Sequence, residues 1–196
     1  MKSCVDFYDD SAEEWAKEWY NNETMLPFLQ KFLSLVDKKK PRILDLCCGA
    51  GYDSMRLAKL GADVVGVDLS EKSLEIARKK NPDIPFYKKD MRVPFPELGK
   101  FDGILCCGGI IHLEESELEG AFNNMAEVLK KGGYLLLVFK DGSSRKDITM
   151  YNGVEYARNS IPYTKAEILQ HMEHLVFIED LTPDDGVWKF CVYKRK

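Results

Sequence analysis

The chain has 196 residues, 45% of them hydrophobic, which fits one domain with a full core. Charged residues make up 31% and nearly balance at a net −4, so the totals exclude a strongly basic nucleic-acid or anionic-membrane surface; the expected partner is neither. No apolar run approaches the ~20 residues of a membrane span and no basic-then-apolar leader opens the chain, so a cytoplasmic location is expected.

Six cysteines, Cys4, Cys47, Cys48, Cys106, Cys107 and Cys191, fit neither a zinc spacing nor a disulfide framework. They read as free thiols, mostly buried, and no metal is expected.

Ser11 and Glu14 form a capping-box pattern, which predicts a first helix from about Ala12 to Tyr20. Trp15 and Trp19 share one of its faces, with Tyr8 just upstream. These rings suit either a lid over a cleft or the glue of a terminal helix. Apolar residues from Met25 to Val36 keep a helical period, with Pro27 in the first turn.

Ile43, Leu44 and Leu46 then read as a strand buried on both faces, broken by a small-residue loop in which Gly49 and Gly51 allow a tight turn. A helix follows, capped by Asp53 or Ser54 and ended by Gly61. A second run, Val64 to Val67, ends in Asp68, about twenty residues beyond the loop, where a carboxylate takes both hydroxyls of a ribose. Ser70 caps the next helix, and Phe86-Tyr87 is a short run that leads to Asp90-Met91. Phe101 to Leu105 reads as the fourth strand, Leu118 to Leu129 as a helix stopped by Gly132-Gly133, and Tyr134 to Phe139 as the fifth strand. Alternation of this kind predicts a parallel sheet covered on both faces.

Lys140 to Pro162 is polar and without a clear period, which predicts an uncovered lid or binding loop. Thr164 and Glu167 cap a further helix. Leu175 to Leu181 and Val187 to Tyr193, joined by Thr-Pro-Asp-Asp-Gly, predict a closing antiparallel hairpin. The expected whole is a single α/β domain with a Rossmann-like, mostly parallel seven-stranded sheet: a helical lid segment over 1–38, a ligand-binding core over 39–139, and a substrate loop with the hairpin over 140–196.

Charge narrows the ligand. A phosphate loop needs a lysine and a hydroxyl at its end, whereas Gly51 is followed by Tyr52-Asp53-Ser54. A dinucleotide fingerprint wants a third glycine where Ser54 stands, and Asp45 would repel a diphosphate. S-adenosylmethionine carries an ammonium, a sulfonium and free ribose hydroxyls, a pattern that suits Asp45 and Asp68.

The series I-L-D-L-C-C-G-A-G, V-V-G-V-D-L-S, K-K-D-M, F-D-G-I-L-C-C-G-G-I-I-H-L and V-L-K-K-G-G-Y-L-L-L-V-F resembles class I S-adenosylmethionine-dependent methyltransferases, over about residues 42 to 139 and in that family's order. Cys47 stands where the family usually has its first glycine, a place for a small residue with ordinary backbone angles. The resemblance implies that Asp45 and the backbone from Cys47 through Gly49 to Gly51 surround the methionine moiety. It implies Asp68 on the ribose, Leu69 against the adenine, Asp90 accepting from the adenine amino group and the Met91 N–H on a ring nitrogen. Cys107 would line the methionine end, and S-adenosyl-L-homocysteine would be the product.

Methyl transfer asks for alignment, exclusion of water and, for a hydroxyl or protonated amine, removal of a proton. His112, just past the fourth strand, is the one histidine placed for that; its other reading is a backbone or helix-capping partner. No Pro-Pro-aromatic motif for a nucleobase amine follows that strand and no Pro-Cys nucleophile appears, so a small-molecule acceptor is expected. Arg145, Lys146 and Arg158 are candidates to hold an anionic one, and Tyr151, Tyr156 and Tyr163 to wall it in, although a solvated loop carries such residues routinely. A noncatalytic adenosylmethionine-binding protein and a nucleotide-dependent oxidoreductase remain the alternative classes. The sequence is silent on oligomeric state.

Overall fold

The computed structural model describes residues 1–142, 144–183 and 186–196. Strand β1 (Lys2–Ser3) leads into α1 (Cys4–Trp19) and α2 (Leu26–Val36). The alternating core is β2 (Arg42–Leu46), α3 (Tyr52–Lys59), β3 (Asp63–Asp68), α4 (Glu71–Lys80), β4 (Phe86–Lys88), β5 (Phe101–Cys107), α5 (Glu115–Val128) and β6 (Leu129–Lys140). There follow β7 (Lys146–Tyr151), β8 (Val154–Ser160), α6 (Lys165–Gln170), β9 (Leu175–Asp180) and β10 (Trp188–Arg195). Among the described residues, no helix is long and apolar enough to cross a membrane.

Seven strands form the main sheet in the order β4-β3-β2-β5-β6-β10-β9. Pairing is parallel from β4 to β6, and β10 runs antiparallel between β6 and β9. The expected sheet and closing hairpin are both present. The turn expected over 182–186 includes Asp184 and Asp185, which lie outside the described residues.

Alternation along β2 splits the core. Leu44 and Leu46 join Phe122, Met125 and Ile168 on the face covered by α5 and α6, while Ile43 joins Leu29, Phe32 and Leu57 under α2 and α3. Burying such side chains contributes roughly 1.5–3 kcal/mol each and leaves the strand no exposed face. Because β2 lies between β3 and β5, the chain crosses to opposite sides of β2, and the crevice opens at the carboxyl ends of β2 and β5.

Four local expectations need correction. The first helix begins at Cys4, because Ser3 and Asp6 form the capping box: the Asp6 N–H donates to Ser3 Oγ at 3.1 Å and the Ser3 N–H to the Asp6 carboxylate at 2.7 Å. Ser11 is buried inside that helix and donates to the Phe7 carbonyl at 2.7 Å. Helix α3 starts at Gly51, whose φ of 80° sets the turn, without a side-chain cap; Asp53 and Ser54 are engaged elsewhere. Helix α5 stops at Val128, and Gly132-Gly133 fall within β6, where the pairing with β5 shifts register between Phe101 and Gly103.

The fourth correction matters most for the site. The stretch read as an uncovered loop contains β7 and β8, an antiparallel pair to which β1 adds in parallel, giving a three-stranded sheet. Phe7, 5% exposed, packs edge-on against Tyr151 and Tyr156 and ties α1 to this sheet. The chain's beginning and the insertion after β6 therefore form one unit, a pairing across more than a hundred residues that local periodicity does not encode.

Candidate functional site

A cavity of about 920 Å³ opens over the carboxyl ends of β2, β3, β5 and β6, with α1 and the β7–β8 sheet on its other side. Leu46, Cys47 and Gly49 form its floor, where the chain leaves β2. Cys47, Gly49 and Gly51 all have positive φ, at 63°, 53° and 80°. The expectation of ordinary angles at Cys47 is thus corrected: it keeps the left-handed conformation that a glycine would adopt freely, at a cost of roughly 1–2 kcal/mol. Its thiol is closely packed, since a Cβ on Gly109 would sit 2.5 Å from Cys47 Sγ.

Asp68, at the end of β3, fixes this loop. Its Oδ2 accepts from the Gly49 N–H at 2.8 Å and its Oδ1 from the Ser70 N–H at 2.9 Å, so each oxygen keeps lone-pair capacity toward the cavity that it lines. Burial holds its pKa above the usual carboxylate value. Asp45 does not line the cavity and neither does Gly51, contrary to a direct contact for either side. Asp45 is 2% exposed, lies behind the loop and accepts from Ser54 Oγ at 2.5 Å; burial, then the neighbouring Asp53, pushes its pKa up to about 8.

The segment after α1 is fastened to the same loop. Arg56 pairs with Asp53 at 2.8 Å and donates to the Trp19 and Asn22 carbonyls, and Tyr20 donates to the Ala50 carbonyl at 2.7 Å. Trp15, Trp19 and Tyr52 stack in sequence, their centroids 6.3 and 6.1 Å apart. All three line the cavity, and the indole N–H of Trp19 is buried without an acceptor among the described residues.

Leu69, Asp90 and Met91 line the end near β3 and β4. Asp90 is held by Arg92, whose Nε lies 3.0 Å from Oδ1 and Nη2 2.6 Å from Oδ2, which draws the carboxyl pKa below its ordinary value. Met91 is positioned by Asn124, which donates to its carbonyl at 2.9 Å. Cys107 lines the cavity at the end of β5, and burial pushes its thiol pKa up, so it is a wall and no nucleophile.

Opposite stands a chain of directed hydrogen bonds. His112 Nδ1 lies 2.5 Å from the Asn159 carbonyl, which only accepts, so the ring proton sits on Nδ1 and Nε2 is a bare acceptor. Tyr8 therefore donates its hydroxyl to Nε2 at 2.7 Å, and its oxygen accepts from Arg158 Nη2 at 2.9 Å. Burial lowers the His112 pKa to about 4, and burial raises that of Tyr8 to about 12 against the opposing effect of Arg158. The imidazole is neutral, and its Nε2 accepts from Tyr8.

Arg158, Tyr8, Trp15 and His112 are thus brought together, as is Lys146. Arg145 is not: it lies outside the cavity wall, forks onto the two Glu114 oxygens at 2.6 and 2.8 Å, and also binds Asp147. Tyr163 is also excluded, being buried in the core with its hydroxyl donating to the Leu113 carbonyl at 2.7 Å. Tyr151 and Tyr156 turn to Glu14 and Asp10. Reasoning from sequence missed Tyr52, Lys140 and Trp188 on the wall; Lys140 alone had a readable signal, as the last residue of a strand at the ligand-binding edge. Among the described residues no cluster of His, Cys, Asp and Glu is arranged for a metal, and the cysteines are free.

Residues 43–133 match the family described as "Methyltransferase domain". YqeM of Bacillus subtilis (strain 168), which carries a provisional methyltransferase name, is 40% identical over 103 residues, covering 50% of this chain and 42% of YqeM. The Ubiquinone biosynthesis O-methyltransferase of Coxiella burnetii (strain Dugway 5J108-111) is 26% identical over 162 residues, 75% of this chain and 67% of that protein. The chain spans less than half the length of the first curated relatives it matches. In fold it resembles an S-adenosylmethionine-dependent methyltransferase from Clostridium acetobutylicum ATCC 824, with a TM-score of 0.76 at 15% identity over 98% of this chain and 99% of that one.

Proposed function

We propose that this chain, a class I S-adenosylmethionine-dependent methyltransferase by domain family and fold, transfers the methyl group to the hydroxyl of a small-molecule acceptor. The observation that carries the reading is the Tyr8–His112 pair, which faces the same cavity as Asp68.

The residues present fit the cofactor. A cavity of about 920 Å³ is at the upper end of the usual ~300–1,000 Å³ range, which leaves room for an acceptor beside it. Asp68 takes the ribose hydroxyls on its remaining lone pairs, Leu69 and Met91 flank the adenine, and Asp90 accepts the adenine amino group on the one lone-pair site that the three Arg92 donors leave on its carboxylate. Asp45, behind the glycine loop and protonated in the cofactor-free fold, is placed to ionise toward the ammonium of the amino-acid end. Bound S-adenosylmethionine supplies a methyl group on a sulfonium whose sulfur keeps the bonding pair as the methyl leaves, giving S-adenosyl-L-homocysteine.

The chain's own task is alignment and proton removal. The acceptor hydroxyl donates to the Tyr8 oxygen; as its oxygen bonds to the methyl carbon, its proton passes to Tyr8 while the Tyr8 proton passes to His112 Nε2. His112 becomes the imidazolium, with Nδ1–H held on the Asn159 carbonyl. The stacked Trp15, Trp19 and Tyr52 exclude water from that step.

The test is transfer of labelled methyl from S-adenosylmethionine to a panel of small phenols by the full chain, repeated with Tyr8→Phe and His112→Ala. The reading expects product from the parent chain and a large loss in both variants. Undiminished transfer in both would remove the pair from the chemistry.

A further inference from the structure

Unanswered charge around the cavity is sorted along the sheet. Among the described residues, every carboxylate that lines it, Asp53, Asp68 and Asp90, belongs to the β2–β3–β4 half, and each is already answered, by Arg56, by two backbone N–H groups and by Arg92, while Lys89 on that half pairs with Glu97. Over the other half the sign reverses. Lys140 at the end of β6, Lys146 at the start of β7 and Arg158 on β8 line the same cavity, and none has a carboxylate partner among the described residues.

Arg158 is the most constrained of the three. Its guanidinium carbon lies 4.5 and 5.2 Å from the ring centroids of Phe7 and Tyr8, which fixes its plane. One N–H is spent on the Tyr8 hydroxyl, and the Nε–H is buried without an acceptor among the described residues. An unmet buried N–H on a half-buried cation is costly, and the planar fork is complementary to a carboxylate. Since the same guanidinium holds Tyr8 and lines the cavity, a carboxylate docked on its remaining N–H groups lies next to the hydroxyl that Tyr8 receives.

Resting on the methyltransferase reading above, we infer that the acceptor is a small aromatic acid whose hydroxyl is adjacent to its carboxylate, the carboxylate on Arg158 within the field of Lys140 and Lys146, and the ring against Trp15 and Trp188. The aromatic walls supply the apolar area and the cations select the charge. Arg158 is here an acceptor-binding residue, and it also positions Tyr8.

The test is calorimetric titration of the full chain, saturated with S-adenosylhomocysteine, with four probes: salicylate, 4-hydroxybenzoate, 2-hydroxybenzyl alcohol and 2-hydroxybenzylamine. Salicylate should bind roughly tenfold or more tighter than the alcohol, with 4-hydroxybenzoate weaker than salicylate and the amine weakest. Arg158→Gln should bring the salicylate-to-alcohol ratio close to one; the exposed Lys146→Gln, which disturbs no packing, should lower it in part. Equal or tighter binding of the alcohol or the amine, preference for the 4-hydroxy acid, an unchanged ratio in Arg158→Gln, or no binding of any probe would each overturn the inference. Failure of S-adenosylhomocysteine itself to bind overturns the underlying methyltransferase reading and is seen in the first titration, before any acceptor probe is added.

Discussion

The phenolic oxygen of Tyr8 lies 2.7 Å from Nε2 of His112, joining the N-terminal helix to the turn after β5 across 104 residues of sequence. Because the Asn159 carbonyl fixes the tautomer, this bond has a direction, and the pair is competent only while the imidazole is neutral. With Arg158 as the charged group beside it and a pKa near 4, His112 keeps that state down to about pH 5. Turnover under saturating substrates should therefore show no loss between pH 8 and 5 that is assignable to His112, and should fall near pH 4. His112→Ala should cost about 10²- to 10⁴-fold in turnover with nearly unchanged cofactor affinity.

The same depressed value has a stability consequence. The unfolded histidine takes up a proton near pH 6.5, whereas the folded one resists until about 4, so the unfolded state binds more protons in between. Stability should fall as pH drops through that window, and a His112→Asn variant should lose this part of the dependence in thermal melts.

Asp45 runs the opposite way. Its folded pKa, pushed up to about 8 from the ordinary carboxylate value of 3.8, means that the cofactor-free fold holds a proton there which the unfolded chain gives up, so stability declines as pH rises toward and through 8. Asp53 and Asp68 disfavour its charge, and Ser54 favours it. Asp45→Asn should raise the melting temperature of the cofactor-free chain at pH 8 or above. If Asp45 ionises toward the cofactor ammonium, binding near pH 7 should release a proton, measurable by calorimetry in buffers of different ionisation enthalpy, and Asp45→Asn should abolish that release.

The tight contact between Gly109 and Cys47 predicts a coupled pair. A Cβ at Gly109 would meet Cys47 Sγ at 2.5 Å and Met91 Cε at 2.8 Å, so Gly109→Ala should cost about 1–3 kcal/mol. Adding Cys47→Gly removes the thiol and the left-handed strain together, and the double variant should recover much of the loss in a denaturant double-mutant cycle.

Arg145 is the control for the cation cluster. It is exposed and committed to Glu114 and Asp147, so Arg145→Ala should leave turnover and acceptor preference as they are. A change comparable to that of Arg158→Gln would place it in the site after all.

The sequence was legible where local pattern and function coincide. The apolar runs ending at Asp45-Leu46, Asp68 and Cys107, the glycine loop and the closing hairpin all stand where periodicity and turn chemistry put them. Asp68, Leu69, Met91, Cys107 and His112 line one cavity because each lies at or just beyond the carboxyl end of a sheet strand. What escaped was non-local. Strand β8 recruits both β1 and β7 into its sheet, so the apparent loop is a hairpin whose polar residues meet α1; Arg158 lies on β8 and faces the cavity, while Arg145, just before β7, is held outside by Glu114, which caps another element. Asp45 escaped differently: its position was right, but Ser54 and burial put it behind the loop rather than on the surface.

The central claim is cofactor identity, and the most direct measurement is a calorimetric titration of the full chain with S-adenosylhomocysteine beside NAD and ATP, repeated with Asp68→Ala. The account predicts saturable binding of S-adenosylhomocysteine alone, weakened in the folded variant by roughly 1–3 kcal/mol through loss of charged hydrogen bonds. Preference for a dinucleotide, or an affinity that Asp68→Ala leaves untouched, would contradict it.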